Sequence, residues 1–76
     1  MEELVRYIAT NLVENPDAVK VSATSRGRNH VDLTLEVDKA DIGRVIGKGG
    51  RVANALRNLV RVAAIKQNKR ANLEIR

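Results

Sequence analysis

Residues 47–50 read Gly-Lys-Gly-Gly, and the apolar residues on both sides of them keep helical spacing. Ile42, Val45 and Ile46 precede the glycines, and Val52, Leu56, Leu59, Val60 and Ala63 follow them over about four turns. The spacing predicts two helices meeting at a loop with three glycines in four positions. Such a loop lets the backbone turn left-handed and approach a ligand closely, because no Cβ intervenes. The second helix starts there, so its unpaired N–H groups and positive dipole end point outward, and Lys48 and Arg51 add charge beside them. The segment reads as an anion clamp.

Other glycine loops fail on spacing. A Walker A loop needs G-x-x-x-x-G-K-[ST], but only three residues separate Gly43 from Gly47, and Lys48 is followed by Gly49. A dinucleotide fingerprint would place a third glycine where Val52 stands and would follow a strand, not a helix. A helix-loop-helix turn that only needs left-handed backbone is the plain structural alternative.

The rest of the chain supplies one helix and three strands. Leu4, Val5, Ile8, Leu12 and Val13 recur at helical spacing between Glu2 and Asn15, with glutamates in the first turn and Pro16 as the stop. From 18 to 25, Val19, Val21 and Ala23 alternate with polar residues, and after the turn residues Ser25 to Asn29 so do Val31, Leu33, Leu35 and Val37, which predicts a hairpin. Asp38 and Asp41 have the spacing of a capping box at the next helix. Residues 67–70 read as a polar loop, and Leu73 and Ile75 alternate with polar neighbours as a closing strand. The order is α-β-β-α-α-β, and three amphipathic helices covering one face of a three-stranded sheet make a two-layer α+β sandwich with a wet outer sheet face.

Composition narrows the chemistry. Cysteine is absent and His30 is the only histidine, which leaves no disulfide, thiolate nucleophile, Cys/His zinc site or Ser-His-Asp arrangement. No catalytic residues, metal ligands or cofactor are expected, and Asp38 and Asp41 read as caps rather than an acid-base pair. Tyr7 is the only aromatic residue, so bases could not be stacked on an aromatic platform. No long apolar run marks a membrane segment and no apolar leader follows Met1, so the chain reads as cytoplasmic.

The net charge of +5 is unevenly placed. Residues 1–25 carry Arg6 and Lys20 against Glu2, Glu3, Glu14 and Asp17, residues 26–47 balance, and from 48 onward eight cations face Glu74 alone. A basic third that begins at the glycine loop suits a polyanion, although a run of charge can also be the solvated face of a helix.

Val45-Ile46-Gly47-Lys48-Gly49-Gly50, with its flanking helices and strand order, resembles the V-I-G-x-x-G core of the KH domain, whose GXXG loop clamps the backbone of about four nucleotides. The element order looks like the type II KH arrangement. The resemblance spans all 76 residues as one domain, and Asp41 to Arg51 followed by Ala55-Leu56-Arg57 is similar to the small bacterial single-KH proteins of the KhpA type. It implies a clamp at Gly47, Lys48, Gly49 and Gly50, an aliphatic floor from Ile42, Gly43, Val45 and Ile46, and an opposite rim from Lys69, Arg70 and the strand near Leu73. Arg51 and then Arg57 would flank the groove, while Arg61, two turns further, reads as helix surface. Such a floor grips bases without aromatic stacking.

The function implied is non-enzymatic binding of short single-stranded RNA, in post-transcriptional regulation linked to cell elongation and division. One site of this size binds weakly, so the resemblance implies a homodimer, or a heterodimer with a second KH protein of the KhpB type. No membrane or small-molecule partner is expected. Two alternatives stand beside this reading: a dimerisation module with a vestigial groove, and single-stranded DNA binding, since a backbone clamp does not read the 2′-hydroxyl.

Overall fold

The computed structural model describes all 76 residues. Helix α1 spans Glu2–Leu12, strands β1 and β2 span Lys20–Ser25 and His30–Glu36, helices α2 and α3 span Ile42–Ile46 and Arg51–Lys66, and strand β3 spans Arg70–Ile75. Single 3-10 turns at Pro16–Ala18, Lys39–Asp41 and Lys48–Gly50 join them. This is the expected α-β-β-α-α-β order, with three helices over a three-stranded mixed sheet. No helix is long and apolar enough to cross a membrane.

β1 and β2 form an antiparallel hairpin in which Val21 faces Leu35 and Ala23 faces Leu33. β3 lies on the other side of β2, parallel to it, with Leu33 beside Leu73. A parallel partner cannot be reached by a tight turn, so the chain crosses over through α2 and α3 before β3 returns. Val31, Leu33, Leu35 and Leu73 turn to the helices and join Val5 and Ala9 of α1 and Leu56 and Val60 of α3 in one core. Lys20, Ser22, Thr24, Asp32, Thr34, Asn72 and Glu74 face away from it, so the outer sheet face is polar.

Three details depart from expectation. α1 stops at Leu12 instead of Asn15, because Val13 is extended (φ −91°, ψ 158°) and the N–H groups of Glu14 and Asn15 are taken by Asp41. α3 buries Ala53, Leu56, Val60 and Ala64, a face rotated from the expected one: Leu59 is 47% exposed. α3 carries two apolar stripes and the sheet offers one face, so the stripe with small residues near each end packs closest and Leu59, Val62 and Ile65 are left outside. The capping box is half formed. Asp38 accepts the Ala40 N–H at 3.0 Å, but Asp41 turns away toward α1.

Candidate nucleic-acid interface

The glycine loop is held by conformation and by lack of space. Gly47 (φ 76°, ψ 169°), Gly49 (φ 66°, ψ 17°) and Gly50 (φ 79°, ψ 14°) all lie at positive φ, which L side chains rarely adopt. At Gly47 a Cβ would also fall 2.6 Å from Val52 Cγ2, so the first glycine lets the loop lie against α3. The Gly47 N–H donates to Gly43 O at 2.9 Å and the Gly50 N–H to Gly47 O at 3.1 Å. Gly50 is then the N-cap of α3, a sixteen-residue helix with no side-chain cap, and exposed Lys48, Gly49 and Arg51 surround its first turn. Neither Lys48 nor Arg51 forms an ion pair.

α2, which presents the loop, has five residues and cannot fix its own orientation. It is anchored from its N-terminal side. Both oxygens of the buried Asp41 carboxylate accept backbone N–H groups, from Glu14 and Asn15, each at 3.1 Å. Arg44 Nε adds a contact to Asp41 at 3.3 Å and its Nη2 donates to Glu14 Oε1 at 2.6 Å. Asp38 accepts the Ala40 N–H and the Asn15 side-chain amide, and these bonds, in that order, hold its carboxyl below the usual carboxylate range. The segment after α1 and the turn before α2 are thus locked together.

The groove residues fall into different settings. Ile42 and Ile46 are half-buried and Gly43 is exposed, all beside the loop. Val45, expected in the floor, is wholly buried and belongs to the packing beneath it, because the short helix has only that residue to turn inward. Leu73 is likewise inward-facing, 7% exposed. Its backbone is what reaches the surface. Arg70 and Arg76 donate their N–H groups to β2 carbonyls or the turn before them, so the alternate residues Ala71, Leu73 and Ile75 point their backbone groups to the free edge of β3. There Arg57 Nε donates to Leu73 O at 3.3 Å, with Nη1 at 3.4 Å from Asn54 Oδ1. Arg57 therefore lies along the β3 edge.

Lys69 and Arg70 stand at the other end of α3 from the loop, about 24 Å away for a sixteen-residue helix. They extend the basic surface along α3 instead of facing the clamp. Beside them a cavity of about 440 Å³ is lined by His30, Arg61, Ile65, Lys69, Arg70 and Asn72, together with Ala71. On the outer sheet face Asp32 pairs with Arg26, with His30 Nε2 at 3.1 Å and Asn72 Nδ2 at 3.3 Å. Partial burial alone would raise the Asp32 carboxyl, but the bonds from His30, Arg26 and Asn72 and the Arg26 charge outweigh it and hold it below the usual range.

Residues 2–75 match the family described as KhpA/KhpB, KH domain. The chain belongs to the KhpA/KhpB KH-domain family. The RNA-binding protein KhpA of Caldanaerobacter subterraneus subsp. tengcongensis is 49% identical over 75 residues, covering 99% of both chains. That of Clostridium perfringens is 47% identical with the same coverage, and that of Bacillus subtilis 39% identical over 99% of this chain and 91% of its own. In this KhpA/KhpB-type domain the GXXG sequence is Gly47 to Gly50, and the structure brings it together with Ile42, Gly43, Ile46 and Arg51 at one end. Arg57 and the Leu73 backbone lie midway, and Lys69 and Arg70 at the far end. Asp41 has no local signal as an anchor, since its partners are 26 and 27 residues away.

Proposed function

We propose that this chain binds short single-stranded RNA, with Gly47 to Gly50 clamping the backbone of about four nucleotides. The observation that carries the reading is the loop itself: three glycines at positive φ open a sixteen-residue helix that has no side-chain cap, and Lys48 and Arg51 stand exposed and without ion pairs around it. Phosphate oxygens meet N–H donors, a helix dipole and two cations there. Ile42, Gly43 and Ile46 supply an apolar surface next to the clamp for the bases, and Arg57 lines the route along β3. The protein acts in the cytoplasm as a binding module, not an enzyme, as an RNA chaperone in post-transcriptional regulation linked to cell shape, elongation and division. The names of the KhpA relatives support the RNA part of this reading.

Paired sites raise affinity for one strand, and the functional form is a homodimer or a heterodimer with a KhpB-type KH protein. Leu59, Val62 and Ile65 support this, since they are 47%, 54% and 64% exposed on the outer side of α3 and offer an apolar surface to a partner. Titration of the chain with a short single-stranded RNA, and with DNA of the same sequence, over a range of salt tests the reading. Binding of the RNA should weaken steeply with salt, by a slope of about −0.7 for each phosphate neutralised. A flat salt dependence contradicts phosphate contact and favours the interaction-module alternative, and equal affinity for the DNA favours a clamp blind to the sugar.

A further inference from the structure

The sheet has two edges. At the β3 edge Arg57 already donates to the Leu73 carbonyl. β1, on the far side of β2, has no such contact. The Arg26 N–H donates to His30 O at 2.8 Å, so by antiparallel alternation Thr24, Ser22 and Lys20 turn their backbone groups to β2, and Ser25, Ala23 and Val21 turn theirs outward. Those three residues present N–H and C=O groups about 7 Å apart along a strand that is exposed throughout except for half-buried Val21.

Natural proteins blunt such edges with proline, a bulge, an inward-pointing charge or a covering segment. β1 has none of these: Val21 to Ser25 are uncharged, and pairing runs unbroken from Lys20 with Glu36 to Ser25 with Val31. On the helix side of its C-terminal half lies a hollow of about 500 Å³, floored by Ala23, Val31 and Leu33 and walled by the first turn of α1. Alternate side chains of a strand added to β1 would point into it. Glu2 and Glu3 line the hollow together with Arg6 and Lys69, so its own charges balance.

Charge sets the kind of partner. Between Asp17 and Asp32 the chain has Lys20, Arg26 and Arg28 and no acid. Arg26 is held by Asp32, whereas Lys20, across the ladder from Glu36, and Arg28 make no ion pair. A second copy would bring the same cations: two β1 strands centred on Ala23 set Lys20 of each against Arg26 of the other, and centred on Ser22 they leave Lys20 opposite Thr24. An RNA backbone fits poorly, since carbonyls alternate with N–H groups along the edge and repel phosphate. We propose that β1 is a docking edge for an extended segment of a partner protein, which adds an antiparallel strand, apolar toward the hollow and acidic opposite Lys20 and near Arg28. The site lies across the sheet from the β3 edge and leaves that edge free.

The test titrates the full chain with two synthetic peptides, acetyl-Val-Glu-Val-Thr-Val-Glu-Val-amide and its counterpart with Lys in place of Glu, and follows the amide resonances. The acidic peptide should slow hydrogen exchange at Val21, Ala23 and Ser25, leave the already bonded Ser22 and Thr24 unchanged, and bind about tenfold more tightly than the basic one. Lys20→Glu should weaken it by about threefold. Ala23→Pro removes the central edge donor without touching the ladder and should abolish binding in a chain whose fold a thermal melt checks. Methylating the valine nitrogens of the acidic peptide, which face β1 in antiparallel pairing, should abolish it as well with no change to the chain. Equal binding of the two peptides, or no change at the three edge amides at millimolar peptide, overturns the proposal. So does protection of those amides by raised protein concentration or by single-stranded RNA, which would assign the edge to a second copy or to RNA.

Discussion

Asp41 Oδ2 accepts the backbone N–H of Asn15 at 3.1 Å, joining the segment after α1 to the turn before α2. With Oδ1 on the Glu14 N–H and Arg44 bridging both acids, this contact replaces the length that α2 lacks and so sets where the glycine loop points. Asp41→Ala leaves those N–H groups without their acceptor and should cost about 2–4 kcal/mol of stability, read by urea unfolding. Asp41→Asn keeps one acceptor, should cost less, and should still shift the amide resonances of Gly47 to Gly50. Resonances unchanged in the loop would show that α2 is oriented by something else.

The glycines of the loop should differ in their tolerance. Gly47→Ala meets both a positive φ and a Cβ 2.6 Å from Val52, and should destabilise by about 2 kcal/mol or more. Gly49→Ala meets only the positive φ, with nothing within 4 Å, and should cost about 1 kcal/mol. Denaturation midpoints of the two variants check the order.

Acid should weaken the fold through two aspartates. Asp38 and Asp32 are held below their usual range, so the unfolded chain binds their protons at higher pH than the folded one does. The stability they add is present above about pH 4 and is lost as pH falls through the lower folded-state values. Asp38→Asn and Asp32→Asn should each flatten the fall in melting temperature between about pH 4 and pH 2. A wild-type acid slope unchanged in both variants would contradict these interactions.

Neighbouring leucines on α3 should behave in opposite ways. Leu56 is 2% exposed, and Leu56→Ala should cost about 2–5 kcal/mol. Leu59→Asp, on the outer stripe, should leave the melting temperature nearly unchanged and weaken self-association in sedimentation equilibrium. A monomeric wild type would contradict the homodimer, and unaltered association of the variant would place the contact elsewhere.

What the sequence reveals here depends on range. Alternation in Val31, Leu33 and Leu35 and the helical run before and after the glycines are local patterns, and they specify the element order and the loop. The inner face of α3 is not local, because Leu56, Leu59, Val60 and Val62 satisfy two stripes and only packing against β2 and β3 chooses between them. Asp41 carried a good local reading, a cap, that a contact 26 residues away displaced. Val45 and Leu73 stand in the motif and in the strand as expected, yet burial leaves only their surroundings and the Leu73 carbonyl for a ligand.

The most direct test is a titration of short single-stranded RNA against Lys48→Asp with Gly49→Asp. Aspartate tolerates left-handed backbone better than most residues and a Cβ at Gly49 meets nothing within 4 Å, so the fold should survive. The account predicts a wild-type melting temperature within a few degrees and loss of RNA binding, because two carboxylates now face the phosphates. Unchanged affinity in the folded variant would contradict the clamp.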